Sequence, residues 1–222
     1  MSVHGSTERP VSLPVQSGEA LAGDLAFPGG AVGIVVFAHG SGSSRLSARN
    51  RSVAAALQRS GLATLLLDLL TPSEERRDEN SGELRFDIPF LAERLRAVIR
   101  WVRGQDDLAP LAVGLFGAST GAAAALDAAV GEERVRAIVS RGGRPDLASA
   151  LERVRAPTLL IVGSLDTRVL EMNRWAFDRL ASPDKELVVV PGAGHLFEEP
   201  GTLDLVAGHT ATWFERWLPA PA

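Results

Sequence analysis

Residues 111–129 read LAVGLFGASTGAAAALDAA, and this stretch decides the fold. Its first six residues are apolar and predict a buried strand, while the alanines after residue 121 predict a helix that packs closely on a sheet. Between them lies GASTG at residues 117–121, the G-x-S-x-G pattern of a serine held on a sharp strand-to-helix turn. Glycines two residues to either side of Ser119 allow strand and helix to approach each other. The spacing predicts a nucleophilic Ser119 at the carboxyl end of a strand, where open α/β sheets bind ligands.

Further short apolar runs lie on both sides of this stretch. Their near-continuous hydrophobicity indicates strands that are covered on both faces, as in a parallel sheet. The six runs are residues 32–38, 62–67, 111–116, 135–140, 158–162 and 187–190. Two weaker runs, residues 11–15 and 21–27, predict an N-terminal antiparallel pair.

Helical patterns fill the gaps between these runs, at residues 47–59, about 90–102, 120–130, 173–180 and 203–217. The alternation of strand and helix predicts an α/β fold built from right-handed βαβ units. Residues 71–83 are polar and charged, which predicts a surface loop with solvated Glu74, Glu75, Arg76 and Arg77. We expect one domain over residues 1–222, with residues 1–10 flexible.

The composition of the chain argues against several classes of function. The chain has 222 residues, of which 45% are apolar, and its 23 basic and 27 acidic side chains give a net charge of −4. A mildly acidic chain without a basic block argues against a nucleic-acid partner. The sequence has neither an N-terminal targeting pattern nor an apolar run of about 18 residues, so we expect a cytoplasmic protein with no membrane partner.

Cysteine and tyrosine are absent, and histidine occurs four times. The lack of cysteine excludes disulfides, thiolate metal sites and a cysteine nucleophile. A serine nucleophile needs a base to take its proton and an acid to orient that base. A histidine base must come from His4, His39, His195 or His209.

The order of residues along the chain selects the acid and the base. In hydrolases with the G-x-S-x-G turn, the acid follows the serine and the histidine comes last. Asp166 follows the predicted strand at 158–162, and His195 follows the strand that ends at residue 190. All three residues then leave the same edge of the sheet, so we predict a catalytic triad of Ser119, Asp166 and His195.

Other acids and bases fit this pattern less well. Asp146 also follows a strand after Ser119, but it lies several residues beyond the strand end. Asp68 ends an earlier strand at the correct edge yet precedes the serine, so we interpret it as structural. His4 lies in the N-terminal tail, and His209 falls inside the last amphipathic helix.

The segment FAHGSG at residues 37–42 closes the third predicted strand and follows it. A tetrahedral intermediate needs two converging N–H donors for its oxyanion. The backbone N–H of Thr120 is one candidate, and that of Gly40 or Ser41 is the other, with Ser41 preferred. His39 precedes the serine, against the order for a base, and is expected to shape this loop by hydrogen bonding.

Arginines cluster near the predicted site, where they could recognise a carboxylate or a phosphate of a substrate. The ordinary alternative, which we favour, is ion pairing with Glu74, Glu75, Glu198 or Glu199. The arginines are Arg45, Arg141, Arg144 and Arg168. The candidate substrate-binding residues are His39, Gly40, Arg45, Arg141 and Arg144.

Taken together, the motifs resemble those of the α/β-hydrolases, and more specifically of their dienelactone-hydrolase-related branch. The matching segments are HGSG at 39–42, GASTG at 117–121, LIVGSLD at 160–166 and GAGH at 192–195. The resemblance implies an eight-stranded, mostly parallel sheet and hydrolysis of esters or lactones without cofactor or metal. Dienelactone hydrolases carry cysteine at the turn, whereas this chain has Ser119, which points toward a serine esterase. Similar domains also occur joined to phosphoribosyltransferases.

We therefore hypothesise a serine hydrolase that cleaves small carboxylic esters or lactones through an acyl-enzyme on Ser119. The alternatives are acyl transfer or perhydrolysis on the same triad, or a non-catalytic ligand-binding domain that keeps the hydrolase fold. Residues 141–156 leave little room for an inserted lid, so we expect an open site with little or no cap. A homodimer is compatible with the sequence, which does not determine the oligomeric state.

Overall fold

The apolar runs of the sequence become strands in the computed structural model, which describes residues 7–15 and 18–218. The strands are β1 (Thr7–Pro14), β2 (Ala20–Phe27), β3 (Gly33–Ala38), β4 (Ala63–Leu67), β5 (Ala112–Ala118), β6 (Val135–Arg141), β7 (Thr158–Gly163) and β8 (Lys185–Val190). The helices are α1 (Ala48–Arg59), α2 (Pro72–Ser81), α3 (Glu83–Phe86), α4 (Ile88–Arg103), α5 (Thr120–Ala129), α6 (Thr167–Arg179) and α7 (Thr202–Trp217). In the described part of the chain, no helix is long and apolar enough to cross a bilayer.

All eight strands belong to one sheet, in the order β1-β2-β4-β3-β5-β6-β7-β8. Strands β3 to β8 run parallel to one another, while β2 is antiparallel to both β1 and β4. This confirms the predicted mostly parallel α/β sheet and its N-terminal antiparallel pair. Residues 7–10, part of the stretch that was expected to be flexible, pair with β2 as part of β1. Residues 1–6, including His4, lie outside the described residues.

Two apolar layers cover the sheet, because successive side chains of a strand point to opposite faces. In β3, Ile34 and Val36 join the layer beneath α4 and α5, whereas Val35 and Phe37 join the layer beneath α1 and α7. Phe37 packs on Phe116 of β5 with ring centroids 4.8 Å apart. The central strands are buried on both faces, as their continuous hydrophobicity predicts.

Helix α7 and the residue that follows it, Leu218, lie directly on two glycines of the sheet. A Cβ atom at Gly114 would lie 2.5 Å from Cε1 of Phe214, and one at Gly33 would lie 2.7 Å from Cβ of Leu218. The missing side chains leave a depression in the middle of the sheet. Phe214 and Leu218 fill it and are fully buried.

Residues 71–83 form helices where the sequence predicts a surface loop. Helix α2 begins after Thr71 with a capping box, in which Thr71 Oγ1 accepts from the Glu74 N–H and Glu74 Oε2 accepts from the Thr71 N–H at 2.8 Å. Asp78 then holds the start of α3, and its Oδ2 accepts from Nε of Arg85 at 2.5 Å. Glu74 and Asp78 are buried, so the expected solvation is wrong for Glu74.

Candidate active site

Ser119 lies on a strained turn between β5 and α5. Its φ of 50° and ψ of −121° fall in a sparsely populated region that glycine adopts more readily than other residues. A Cβ atom at Gly117 would lie 2.4 Å from Cα of Ala122, and one at Gly121 would lie 2.3 Å from the Ala38 carbonyl oxygen. Both glycines are therefore required for the turn, as the spacing of the motif predicts.

Three hydrogen bonds hold the backbone of Ser119 in this conformation. Its N–H donates to the carbonyl of Arg141 at 3.3 Å. Its own carbonyl accepts from the N–H groups of Ala122 at 3.1 Å and Arg144 at 3.0 Å. Because the bonds reach both α5 and the segment after β6, the surrounding structure maintains the strained turn.

Asp166 and His195 meet at the same edge of the sheet. Nδ1 of His195 lies 2.6 Å from Oδ2 of Asp166. A carboxylate only accepts, so this contact assigns the proton of the neutral ring to Nδ1 and leaves Nε2 able to accept one. The side chain of Asp166 is 15% exposed and that of His195 is 40% exposed. A largely buried carboxylate thus orients an accessible imidazole.

Backbone contacts between the ends of β7 and β8 set this pairing. The N–H of Leu165 donates to the carbonyl of Ala193 at 2.9 Å. A Cβ atom at Gly163 would lie 2.2 Å from the same carbonyl oxygen, so the close approach requires glycine. Glu199 Oε1 accepts from the Gly194 N–H at 3.0 Å and holds the loop that carries the histidine. Sequence reasoning missed this role, because it considered Glu199 only as a partner for an arginine.

His195 approaches the serine turn across Gly142, the residue after β6. A Cβ atom at Gly142 would lie 3.6 Å from Cε1 of His195, and the neighbouring Arg141 carbonyl accepts from the Ser119 N–H. Ser119 Oγ forms no hydrogen bond with any described residue. Bonds between a nucleophile and its base often tighten only when substrate is bound. The fold therefore gathers the predicted triad at one edge without joining Ser119 to His195.

We call residues 39–44 the oxyanion loop. Neither the Ser41 N–H nor the Thr120 N–H donates to a backbone carbonyl within residues 7–15 and 18–218. A Cβ atom at Gly40 would lie 3.0 Å from Cβ of Ser119, so the loop packs against the serine. Thr120 directly follows Ser119, and Ser41 directly follows Gly40, which contacts the serine, so neither predicted donor is engaged by a backbone carbonyl of the described residues.

His39 holds the oxyanion loop in place. Its Nδ1 lies 2.8 Å from the Gly40 carbonyl oxygen, and its Nε2 lies 3.2 Å from the Leu69 backbone nitrogen. Since the Leu69 N–H donates to Nε2, the ring proton belongs on Nδ1, which donates to Gly40. Burial lowers the pKa of His39 and favours the neutral ring. Both nitrogens are occupied, so His39 shapes the loop, as expected, and has no free ring nitrogen for a substrate.

Two of the candidate arginines are paired with aspartates. Arg45 contacts Asp68 through its backbone N–H at 2.8 Å and through Nη1 at 2.5 Å. Arg144 forms two parallel bonds with Asp146, at 2.9 and 2.8 Å. Ion pairing was the favoured interpretation, but the predicted glutamate partners are wrong for these two arginines. Asp146 is occupied by Arg144, and Asp68 is structural, as interpreted from the sequence.

Arg141 differs from the other candidates. It is 7% exposed, and its Nε and Nη1 have no hydrogen-bond partner within the described residues. Its guanidinium lies 6.0 Å from the centroid of the Phe116 ring. Burial, together with the nearby charge of Arg49, lowers the pKa of Arg141 to about 10. The predicted partner Glu198 instead binds Arg49 at 3.0 Å.

A cavity of about 410 Å³ opens beside the oxyanion loop. The loop, Thr120, residues 68–70 and acidic residues of α2 contribute to its wall. The connection from β6 to β7 contains only two 3-10 turns, Pro145–Leu147 and Leu151–Arg153, and no inserted cap. Sequence reasoning missed the α2 wall, because it predicted residues 71–83 as a loop.

Solved structures share this architecture. A crystal structure of dienelactone hydrolase from Anabaena variabilis is 54% identical in sequence, covers 97% of this chain and 100% of that chain, and has a TM-score of 0.93. An esterase from Pyrococcus furiosus is 18% identical, covers 96% of this chain and 92% of that one, and has a TM-score of 0.79. The second likeness is one of fold alone.

Curated relatives extend beyond the region that matches this chain. In two strains of Mycobacterium tuberculosis, a protein with a provisional phosphoribosyl transferase name is 57% identical over 204 residues, or 90% of this chain. The chain spans about half of that protein's length, since the match covers 45% of it. No family model matches the chain. Its identity to the Anabaena enzyme over the full length of that chain shows that it belongs to the dienelactone-hydrolase-related branch of the α/β-hydrolase superfamily.

Proposed function

We propose that the protein is a serine hydrolase that cleaves carboxylic esters or lactones through an acyl-enzyme on Ser119. Its 54% identity to a dienelactone hydrolase supports an activity on ester bonds. The proposed mechanism rests chiefly on the 2.6 Å contact between His195 Nδ1 and Asp166 Oδ2, which leaves Nε2 as a base at the edge that presents Ser119. The backbone N–H groups of Ser41 and Thr120, which donate to no backbone carbonyl of the described residues, are the proposed donors to the oxyanion.

In the first half-reaction, Ser119 Oγ attacks the substrate carbonyl carbon and its proton passes to His195 Nε2. The carbonyl oxygen becomes an oxyanion, which the N–H groups of Ser41 and Thr120 stabilise. The bond to the leaving oxygen then breaks, and the imidazolium returns the proton to the departing alcohol. Asp166 keeps its hydrogen bond to Nδ1 and stabilises the imidazolium.

In the second half-reaction, water takes the place of the alcohol. His195 removes a proton from water as its oxygen attacks the acyl carbon. The tetrahedral intermediate again places its negative oxygen at the two backbone donors. Its collapse breaks the bond to Ser119 Oγ, which recovers the proton from His195, and the carboxylic acid departs. For a lactone, the released alcohol and acid remain parts of one molecule.

The test is the substitution Ser119→Ala, measured by hydrolysis of p-nitrophenyl acetate and butyrate. Since the nucleophile is lost, kcat/KM should fall by about 10⁴-fold or more. A fluorophosphonate probe should label the native protein at Ser119 and leave the variant unlabelled.

The matched control is Ser52→Ala, which removes a hydroxyl from the exposed face of α1. This variant should hydrolyse both esters at the native rate. Undiminished turnover by a folded Ser119→Ala protein would overturn the proposed mechanism. So would a native protein that is neither labelled nor active on any ester or lactone.

A further inference from the structure

Helix α2 presents carboxylates along the face that borders the 410 Å³ cavity. Glu75, Asp78 and Glu79 are three and four residues apart, which places them on one side of a helix. Arg76 and Arg77 are exposed and do not line the cavity. One wall of the cavity is therefore acidic, although the helix carries both signs of charge.

Not all carboxylates of the lining have a counter-charge. Asp78 is paired with Arg85 at 2.5 Å, and Asp68, the fourth carboxylate of the lining, is paired with Arg45. The side chains of Glu75 and Glu79 are exposed and form neither an ion pair nor a hydrogen bond with a described residue. The wall thus carries two uncompensated negative charges.

Thr120 provides an independent observation at the inner end of the cavity. It is 4% exposed and belongs to the lining, and its Oγ1 has no hydrogen-bond partner among the described residues. It also directly follows Ser119 in the chain. A buried hydroxyl without a partner is costly unless a ligand or water satisfies it. The cavity therefore extends from Thr120, the residue after Ser119, to the acidic wall.

We propose that this cavity is a substrate subsite that selects a positively charged group, such as an alkylammonium, on the ester. The inference rests on the proposed function and names its substrate class. Glu75 and Glu79 attract the cation, while Thr120 Oγ1 offers a hydrogen bond to the polar part of the substrate near the ester. The same two carboxylates repel an anionic substrate.

The arginines near the site do not reverse this preference. Arg45 and Arg85 are neutralised by the aspartates that they bind. Arg144 is paired with Asp146, and Arg141 does not line the cavity. Among the residues that the structure describes, the lining therefore has no free cation to receive a carboxylate or a phosphate.

The experiment compares esters that differ only in charge. One series consists of p-nitrophenyl esters whose acyl chain ends in trimethylammonium, tert-butyl or carboxylate. The other consists of acetates of choline, 3,3-dimethylbutanol and 3-hydroxypropanesulfonate, because either side of the ester could occupy the cavity. In at least one series, kcat/KM should fall from cation to neutral to anion. At low salt, the cation should exceed the anion on the order of tenfold or more.

Measurements at high salt and on substituted proteins then test whether Glu75 and Glu79 cause the preference for the cationic ester. The ratio of kcat/KM for cation to anion should shrink in about 0.5 M NaCl, because salt screens exposed charges. In the double variant Glu75→Gln/Glu79→Gln, the ratio should fall toward one. The control Glu133→Gln/Glu215→Gln removes two exposed carboxylates that do not line the cavity, and it should keep the native ratio. Circular dichroism verifies that both variants are folded.

The possible failures are distinguishable. If no ester of either series is hydrolysed, the proposed function itself is wrong. If neutral esters are hydrolysed but the cationic ester is not preferred in either series, the cation subsite is wrong and the hydrolase stands. A cation preference that survives the Glu75→Gln/Glu79→Gln substitutions also overturns the subsite.

Discussion

Two histidines near the serine have different roles because their ring nitrogens have different partners. His39 is largely buried, and both of its nitrogens are engaged by backbone groups. His195 is accessible, and within the described part of the chain only its Nδ1 is held, by Asp166. A base needs a nitrogen that can accept a proton at the site, and His195 alone of the two has one. The partners of a ring, more than its distance from the serine, decide its function.

The lowered pKa of His39 predicts a loss of stability in mild acid. Near and below the ordinary histidine pKa of about 6.5, the ring binds a proton more readily in the unfolded chain than in the folded protein. The unfolded state then binds more protons, so the free energy of unfolding falls as pH drops below about 6.5. Urea unfolding at pH 7.5 and 5.5 should show a smaller decrease for His39→Asn than for the native protein.

His209→Asn serves as the control for this measurement. His209 is exposed on α7, far along the chain from the oxyanion loop. Its replacement should preserve the native difference between the two pH values. An equal acid sensitivity of native protein and His39→Asn would show that His39 does not contribute to it.

At the scale of the residue, the sequence predicts which residues gather at the candidate site better than it predicts which side chains pair with each other. Ser119, Asp166 and His195 each follow a strand, so their meeting at one edge follows from the parallel order of the strands. The partners of Arg45 and Arg144 depend on side-chain positions, which strand order does not determine. Asp68 and Asp146 therefore pair with these arginines in place of the predicted glutamates.

At the scale of the element, α2 is stabilised by its polar ends and not by an apolar face. Thr71 caps its first turn, Glu74 pairs with Arg94, and Asp78 bonds to Arg85. A search for apolar residues at helical spacing cannot find such a helix. The spacing of Thr71 and Glu74 was the available signal, since a capping box marks a helix start even where apolar residues are absent.

The cap makes a measurable contribution to stability. Thr71→Val keeps the shape of the side chain but removes the oxygen that accepts from the Glu74 N–H. Because Thr71 is fully buried, water cannot replace the lost bond. The free energy of unfolding should fall by about 1 kcal/mol, measured by urea denaturation.

Thr212→Val on the exposed side of α7 is the matched control for the cap. It changes the same atoms without removing a cap, so its unfolding midpoint should stay close to the native value. If Thr71→Val also leaves the midpoint unchanged, the capping box does not stabilise the helix.

At the scale of the whole molecule, one sheet joins the two apolar layers. Neighbouring residues of β3 and β5 contribute to opposite layers, so neither layer can separate without exposing the other side of the same strands. We therefore expect a single cooperative unfolding transition. In hydrogen exchange with added urea, peptides from α5 and α7 should lose protection within about 0.3 M of each other.

Strand β1 provides an internal reference for the exchange measurement. It lies at an edge of the sheet, and most of its side chains are exposed. Its amides should exchange at lower urea than those of α5 and α7. If α5 and α7 instead lose protection at clearly different urea concentrations, the two layers unfold independently.

The strained turn at Ser119 lowers the stability of the fold, whereas the proposed reaction needs a serine hydroxyl at this position. Glycine would adopt a φ of 50° readily, whereas a residue with a side chain there costs on the order of 1–3 kcal/mol. Selection for a stable fold alone would therefore favour glycine at this position. If the hydroxyl were not needed, replacing Ser119 with glycine would increase the stability of the fold. The cost of keeping a side chain at this φ fits the proposed role of Ser119 as the nucleophile.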